Sequence, residues 1–438
     1  MARSTFLLAA AASVSAAAAS ASPLPNLLFI LADDLGFSEL SIQPRGPLNN
    51  TNITTPAIDA LFKSGTQFSD AYTGEAVCAP SRGSLFTGLH TGHATIRGNA
   101  PGADGHGLPL PPREKTVFQV AKEAGYRVAC VGKWGVGWWN STGAPDVKGC
   151  DSYFGVLDQS YAHNMYPSAP DFTWRKAPGA PPVAVPYPEN VNASRERCMQ
   201  PGNTCTWAHK LWTDEATAVL AEQARLEAGA RAAGAAAPPP LFLYLAYTDP
   251  HAGGWSGEAE EGNPVPSNAG PRVDFQNQPW PNPEKDHASV IANYLDADVG
   301  ALVALLEKGG MRSNTAVFFA SDNGASNEGA HDYMCVARCG GAAGPRFPSA
   351  HLLYCFAPPP THTPPVPPPP PPRPQVLRLL GPPARLQALP HRGRHPNPLC
   401  RVLAGHGARG ARVELPHRLL GLFAHHCGHC GRGPAARH

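Results

Sequence analysis

Short runs of mostly apolar residues recur along the chain as far as residue 320, and polar residues follow each run directly. Runs of this length without regular alternation are typical of strands that are buried on both faces of a sheet. We predict four such strands, at residues 27–32, 126–131, 241–247 and 315–320.

Segments with helical periodicity separate the predicted strands. Thr54 and Thr55 precede Pro56, which suits the first position of a helix, and Gly65 ends that helix. Further helices are predicted at residues 116–123, 214–237 and 288–308. This alternation predicts the α/β class, with a mostly parallel sheet sandwiched by helices. In such sheets, ligands bind beyond the carboxyl ends of the strands.

Polar side chains follow all four predicted strands at that edge of the sheet. They are Asp33 and Asp34, Lys133, His251, and Asp322 and Asn323. The aspartates and the asparagine supply oxygen ligands, which select a hard divalent cation such as Ca²⁺ or Mg²⁺. Each pair also has a purely structural interpretation, because Asp-Asp can cap a helix and Asp-Asn-Gly is a good turn sequence.

A cysteine lies just before an arginine in residues 78–88, which read Cys-Ala-Pro-Ser-Arg-Gly-Ser-Leu-Phe-Thr-Gly. If a helix opens here, its backbone N–H groups and the guanidinium of Arg82 would face an anion, which suits an oxyanion ester. A lone cysteine is more commonly a buried small hydrophobe or half of a disulfide. The hypothesis that Cys78 is functional therefore depends on the strand-end groups.

The segment around Cys78 resembles the signature of the sulfatase family, in the alkaline-phosphatase-like superfamily. The matching residues are Cys78, Pro80, Ser81, Arg82, Leu85, Thr87 and Gly88. Asp33-Asp34, Gly132-Lys133-Trp134, Pro250-His251 and Asp322-Asn323-Gly324 also fall in the family's order. The resemblance covers residues 24–333, which we interpret as the N-terminal part of the family's catalytic domain.

The resemblance implies a function for each of these residues. Cys78 would be oxidised to formylglycine by a formylglycine-generating enzyme during secretion, and the hydrated aldehyde would attack sulfur. Arg82 would steady the hydrate, Lys133 would neutralise the sulfate oxygens, and His251 would protonate the departing alcohol. Ca²⁺, rather than Mg²⁺, would be held by Asp33, Asp34, Cys78, Asp322 and Asn323. The expected reaction is hydrolysis of an aryl or carbohydrate sulfate monoester to an alcohol and sulfate.

Two positions depart from the family pattern. Gly135 follows Trp134 where the family has histidine, so His93 or another group would have to replace that side chain. No lysine follows Lys308, although the family has a second sulfate-binding lysine there. Two alternatives therefore stay open: a catalytically impaired homologue that binds sulfated glycans or acts in a matrix, and a phosphate or phosphonate ester hydrolase.

The ends of the chain differ in composition from this domain. Residues 1–21 resemble a secretory signal peptide, with a disordered alanine-rich leader or transit peptide as the alternative. Residues 334–438 are rich in Pro, Arg and His, include the polyproline run 367–372, and are expected to be a disordered tail. The change near Met334 leaves the family fold apparently truncated, and we interpret it as a reading-frame or exon-boundary error.

Other sequence features bear on compartment and partners. Asn-x-Ser/Thr sequons at Asn49, Asn52, Asn140 and Asn192 favour export to the secreted, periplasmic or cell-wall space, or a lysosome-like compartment. Among the 11 cysteines, Cys198 and Cys205 are the most plausible disulfide pair. No transmembrane segment is predicted. Lys+Arg total 35 and Asp+Glu 33, and this balance argues against nucleic acid as a partner.

Overall fold

The structure is a computed structural model. It describes residues 24–43, 53–68, 71–99, 106–159, 161–168, 172–254, 262–266, 275, 282–325 and 403–405. The predicted signal peptide and nearly all of the predicted tail lie outside the described residues.

The described residues form one sheet of nine strands, in the order β2-β9-β8-β1-β7-β3-β4-β5-β6. The strands are β1 (Asn26–Asp33), β2 (Gly65–Gln67), β3 (Arg127–Lys133), β4 (Ser152–Val156), β5 (Trp174–Lys176), β6 (Val183–Ala184), β7 (Leu241–Pro250), β8 (Thr315–Ser321) and β9 (Leu403–Gly405). The five central strands, from β8 to β4, are parallel. Antiparallel strands extend both edges of this parallel block.

Seven α-helices lie among the described residues: α1 (Pro56–Ser64), α2 (Cys78–Thr87), α3 (Val117–Glu123), α4 (Arg195–Cys198), α5 (Ala208–Ala233), α6 (Asn282–Ser289) and α7 (Asp296–Lys308). A π-helical turn, Val290–Leu295, joins α6 to α7. Thr116 caps α3 by accepting a hydrogen bond from the Gln119 amide. Gly88, at a φ of 68°, ends α2.

Hydrophobic cores cover both faces of the sheet. Leu28 and Ile30 of β1 pack in one cluster with residues of α1, α5 and α7. Leu27, Phe29 and Leu31 point to the other face, where they pack with residues of α2 and α3. Alternate residues of a strand face opposite sides, so helices on both sides explain why this strand is apolar throughout.

The fold confirms the predicted α/β class and all four predicted strands. The sequence pattern did not predict β4, which pairs in parallel with β3. Cys150 just before β4 also forms an unpredicted disulfide with Cys130. The predicted Cys198–Cys205 disulfide is confirmed. Within residues 334–438 the structure describes only β9, a strand that the sequence pattern did not predict.

One helical stretch in the described residues, Lys285–Lys308, is long and apolar enough to cross a membrane. Half of its most apolar window is buried inside the fold. Val299, Leu302 and Leu306 from this stretch lie in the main core cluster. These contacts are those of a core helix in the domain.

A buried histidine joins α5 to β7 and α7. The ring nitrogens of His209 lie 2.8 Å from Asp249 Oδ2 and 2.9 Å from Asp298 Oδ2. Its ring stacks between Trp207 and Tyr247. Burial alone would lower the pKa of His209, but the charge and hydrogen bond of Asp249, followed by those of Asp298, raise it to about 9.

This triad predicts a stability that depends on pH. Protonated His209 should stabilise the fold fully below its ordinary pKa of 6.5, and this contribution should be lost as the pH rises through about 9. At 1.36 kcal/mol per pKa unit, the contribution is about 3 kcal/mol at most. Urea unfolding of the wild type and of His209→Gln between pH 6 and 10 measures it. An equal slope of the unfolding free energy with pH in both proteins would contradict the prediction.

Candidate active site and metal centre

The carboxyl ends of the central parallel strands bring the predicted polar groups together. Asp33 ends β1, Lys133 ends β3, His251 follows β7 and Asp322 follows β8. In the sheet register, Asp33 lies beside Pro250. The side chains of these residues are buried, which makes this edge an enclosed polar centre.

Cys78 lies at the N-terminus of α2, directly against this centre. Its buried Sγ is 3.4 Å from Asp33 Oδ1, and the neighbouring Ala79 amide donates to Asn99 Oδ1 at 2.9 Å. Ser81 donates a hydrogen bond to the backbone oxygen of Asp322, which ties the helix start to the end of β8. The first turn of α2 is thus fixed on the carboxyl edge of the sheet.

Two cations are fully buried beside Cys78. Arg82 Nε and Nη2 lie 3.0 and 2.9 Å from Asp322 Oδ2, and Nη2 lies 3.5 Å from Asp33 Oδ1. Lys133 Nζ is 2.5 Å from Asp33 Oδ2. Arg82 Nη1 donates to the Lys133 backbone oxygen at 2.8 Å and also contacts the Tyr244 hydroxyl.

These pairings fix the charge of each group. Burial alone would raise the pKa of Asp33, but the positive charges of Lys133 and Arg82 hold it well below its ordinary value. Burial alone would lower the pKa of Lys133, but Asp33 raises it. Burial and the nearby Asp33 carboxylate raise the pKa of the Cys78 thiol. As a free thiol, Cys78 is therefore a poor nucleophile in this position.

The oxygen groups beside this ion-pair cluster fit a hard cation. The Asp34 amide donates to Asp322 Oδ1 at 3.2 Å, and the Asn323 side-chain amide donates to Asp34 Oδ1. Asn323 Oδ1 is buried and has no hydrogen-bond partner among the described residues. Burial raises the pKa of Asp34 and raises that of Asp322 to about 7, with the Asp33 charge contributing to both. A divalent cation would reduce the repulsion among the neighbouring carboxylates and would be coordinated by Asn323 Oδ1.

Ligand atoms of Asp33, Cys78 and Asp322 lie within 4.8 Å of one another, as do those of Asp34, Cys78 and His251. Asp33, Asp34, Asp322 and Asn323 offer only oxygen, which matches the preference of Ca²⁺ and Mg²⁺. The two groups of potential ligand atoms therefore meet at Cys78.

His251 borders the centre on the β7 side. Its Nε2 is 3.3 Å from Asp34 Oδ2, and its Nδ1 is 2.6 Å from the Ala252 oxygen. The ring stacks on His163, with 4.1 Å between ring centroids. His163 was absent from the predicted site because it lies in the turn Tyr161–His163, in a stretch without regular periodicity.

Gly135 is surrounded in a way that excludes the histidine expected there. It has a φ of +80°, and a Cβ on it would overlap Gln159 Nε2 and lie 2.9 Å from Gln159 Cδ and 3.5 Å from Arg82 Cδ. Gln159 Nε2 donates to the Gly135 oxygen at 3.2 Å. Gln159 therefore occupies the space beside Arg82 that a side chain at residue 135 would need. His93, the suggested replacement, is exposed, and its ring lies against His90 instead of the centre.

Because Gln159 lies so close to Gly135, any side chain at residue 135 should lower the stability of the fold. Gly135→Ala should lower the free energy of unfolding by about 1–3 kcal/mol, because it combines the left-handed backbone with the overlap on Gln159. Adding Gln159→Ala should recover only the part due to overlap. Gly98→Ala is the control, since a Cβ at Gly98 meets nothing within 4 Å. Equal urea midpoints for the Gly135→Ala and Gly98→Ala proteins would contradict this prediction.

The structure thus brings every predicted site residue to one edge of the sheet. The residues are Asp33, Asp34, Cys78, Arg82, Lys133, His251, Asp322 and Asn323. Sequence reasoning missed His163, Gln159 and Asn99, whose side chains come from loops. None of the three lies next to a predicted strand or within residues 78–88, so the sequence pattern gave no signal for them.

Comparison with known proteins shows which family the chain resembles. The sequence profile of the sulfatase family, described as Sulfatase, matches residues 25–349. The chain belongs to the sulfatase family. Members of this family generally use a formylglycine and a divalent metal, which agrees with the position of Cys78 among the oxygen ligands.

The sulfatase relatives differ in how much of the chain they match. Arylsulfatase A of Bos taurus is 30% identical over 332 residues, which cover 73% of this chain and 56% of the relative. An N-acetylgalactosamine-6-O-sulfatase of Bacteroides thetaiotaomicron is 39% identical over 116 residues, or 26% of this chain and 21% of the relative. The chain spans about half the length of the first curated relatives it matches, at 42% and 56%.

A solved structure also resembles this sulfatase fold. The crystal structure of Ps i-CgsB in complex with k-i-k-neocarrahexaose has 26% sequence identity and a TM-score of 0.51. The match covers 70% of this chain and 61% of that one.

Proposed function

We propose that this protein hydrolyses sulfate monoesters to an alcohol and sulfate, with a formylglycine made from Cys78 as the nucleophile. The observation that carries the proposal is the placement of Cys78 Sγ 3.4 Å from Asp33, within a buried cluster that also holds Arg82 and Lys133. Attack on a sulfate ester requires a nucleophile, a cation site formed by oxygen ligands, and positive charges that stabilise the sulfate oxygens. This cluster contains all three.

The charged and ionisable side chains of the site have different roles in the proposed reaction. Arg82 and Lys133 stay protonated at every physiological pH, because the buried carboxylates raise the pKa of both. Arg82 steadies the hydrated aldehyde at residue 78, and Lys133 compensates the negative charge of the sulfate oxygens. His251, with Nε2 beside Asp34, is placed to give a proton to the departing alcohol.

Asp33, Asp34, Asp322 and Asn323 would hold the cation, which we propose to be Ca²⁺. A cation held there would lower the pKa of a hydroxyl on the hydrated aldehyde and would polarise a sulfate oxygen. Arg82 bridges Asp33 and Asp322, so it fixes the spacing of two of these ligands before the cation binds.

A sulfated carbohydrate is the substrate class that the relatives favour. One curated relative is named as an N-acetylgalactosamine-6-O-sulfatase, and the similar solved structure holds k-i-k-neocarrahexaose. An aryl sulfate is the other expected class, because arylsulfatase A also matches this chain.

We further propose that the protein is made in the secretory pathway and meets a formylglycine-generating enzyme there. The two disulfides, Cys130–Cys150 and Cys198–Cys205, are typical of an oxidising compartment. Asn140 and Asn192, two of the sequon asparagines, are exposed and accessible to a glycosyl transferase.

The test is to express the full chain in a secreting host together with a formylglycine-generating enzyme. Mass spectrometry of the peptide containing residue 78 should show conversion of cysteine to formylglycine. The purified protein should hydrolyse 4-nitrophenyl sulfate or a sulfated N-acetylhexosamine in preference to 4-nitrophenyl phosphate, and a chelator should abolish the reaction. An unmodified thiol or a preference for phosphate would overturn the proposal.

A further inference from the structure

His251 lies where β7 departs from the regular sheet. The last regular pair of β7 with β1 is Ala246 with Leu31. The next pair is Pro250 with Asp33, so β7 advances four residues while β1 advances two. The ladder of β7 with β3 also ends at Ala246. The regular ladder therefore does not set the position of the residues around His251, and other contacts must fix it.

The direction of the His251 ring depends on its own backbone. Nδ1 lies 2.6 Å from the Ala252 oxygen. A carbonyl oxygen only accepts hydrogen bonds, so Nδ1 is the donor, and Nε2 is the nitrogen that faces Asp34 at 3.3 Å. A shift of the backbone at residues 251 and 252 would therefore turn Nε2 away from the centre.

Asn263 holds the backbone of His251 in this position. Its side chain is buried, and Nδ2 donates to Asp249 Oδ1 at 2.6 Å and to the His251 oxygen at 3.2 Å. An NH₂ group carries two hydrogens, so it can make both bonds at once. The Gly253 amide donates to the Gly262 oxygen, next to Asn263 in the chain. Asn263 is thus joined to the His251 segment through its side chain and through the neighbouring backbone.

Asp249 keeps Asn263 in place. The Asp249 side chain is fully buried, and its Oδ2 lies 2.8 Å from His209 Nδ1 while Oδ1 accepts from Asn263. His209 is held in turn by Asp298, 2.9 Å from its Nε2. A buried carboxylate is strongly destabilised when it loses a hydrogen-bond partner, so the bond to Asn263 is firmly maintained.

Pro250 is anchored from α6 and from the turn that follows β1. Its backbone oxygen lies 3.1 Å from His287 Nδ1. His287 Nε2 lies 2.9 Å from Glu39 Oε1, and the Gly36 amide donates to Glu39 Oε2. Each of the three consecutive residues 249–251 is therefore held by a side chain from a distant part of the chain.

We propose that Asn263, held by Asp249, is a positioning residue for the reaction. It keeps Nε2 of His251 at the edge of the metal centre, where the departing alcohol takes up its proton. This inference rests on the proposed function. Asn263 acts through the His251 backbone and not on the reacting atoms.

The first test uses two aryl sulfates that differ in the acidity of the departing phenol. 4-Nitrophenol is a stronger acid than phenol, so 4-nitrophenyl sulfate depends less on a proton donor than phenyl sulfate does. Asn263→Ala should lower kcat about 10–100-fold for phenyl sulfate and less than about threefold for 4-nitrophenyl sulfate. KM should change less than about threefold for both. Equal losses of kcat with the two substrates would show a general structural role and overturn the proposal.

Asn190→Ala is the matched control. Asn190 is also buried, and its Nδ2 donates to two oxygens, those of Pro167 and Thr206. Its loss should change kcat for the two substrates by the same factor. A selective loss with phenyl sulfate in this control as well would contradict a specific role for Asn263.

A double-mutant cycle tests whether Asn263 acts through His251, with any sulfate ester that the wild type hydrolyses. Once His251 is replaced by alanine, adding Asn263→Ala should lower kcat less than about twofold. An equal loss with and without the His251 ring would overturn the role of Asn263. Asn263→Ser keeps a polar group but is too short to span both oxygens, so it should behave in the same way if the alanine variant does not fold. A wild-type chain that carries formylglycine but hydrolyses no sulfate ester would instead overturn the proposed function.

Discussion

Cys78→Ala should lose sulfate ester hydrolysis almost completely, with kcat/KM reduced by about 10⁴-fold or more. Residue 78 is the group that forms the bond to sulfur in the proposed reaction, and its Sγ lies in the middle of the charged cluster. Alanine leaves Arg82, Lys133 and the four oxygen ligands of the metal site in place. These groups can still stabilise negative charge, but without a nucleophile at residue 78 no bond to sulfur forms. Steady-state rates with 4-nitrophenyl sulfate measure the loss.

The matched control for this variant lies on the same helix. Ser84→Ala removes one small buried polar group from α2, whose hydroxyl is 3.3 Å from that of Thr91. It should leave the rate within about threefold, because the Ser84 hydroxyl faces Thr91 and not the cation site. Both variants keep the four oxygen ligands and should still bind Ca²⁺, with a weaker affinity in Cys78→Ala, which loses one of the predicted ligands. A Cys78→Ala protein that keeps more than a few per cent of wild-type activity would show that residue 78 is not the nucleophile.

Arg82→Met should destabilise the fold by about 3–5 kcal/mol and abolish activity as well. The guanidinium is fully buried and compensates Asp322 and Asp33 at once. Without it, two buried carboxylates lose a counter-charge, and the Lys133 oxygen loses a donor 2.8 Å away. Methionine fills much of the volume of the arginine side chain. The loss of stability should therefore come mainly from the unpaired carboxylates and less from a packing defect.

Urea unfolding in the presence of a chelator measures this effect without a contribution from bound metal. Arg225→Met is the control, because that arginine is exposed on α5 and pairs with Glu222, three residues away. The control should change the unfolding free energy by less than about 0.5 kcal/mol. Equal stabilities of the two variants would show that Arg82 does not compensate the carboxylate cluster.

The sequence alone predicted four of the five parallel strands and the polar residues that follow them. Strands β1, β3, β7 and β8 are buried on both faces, so their apolar runs stand out from any surrounding segment. The polar residues that follow them had to meet, because parallel strands place their carboxyl ends at one edge. For the same reason Asp33, Lys133, His251 and Asp322 could be assigned to one site before any contact was known.

Only the tertiary structure decided what lies around that set. Strand β4 is five residues long and borders an antiparallel extension, so its sequence lacks the long apolar run of its neighbours. His163 and Gln159 come from loops, where no periodicity predicts the direction of a side chain. Their positions follow from contacts distant in sequence, the stacking of His163 on His251 and the packing of Gln159 against Gly135. The pattern of apolar and polar residues along the sequence shows which residues face a core. It does not show which loop packs beside the site, because that depends on contacts between residues distant in sequence.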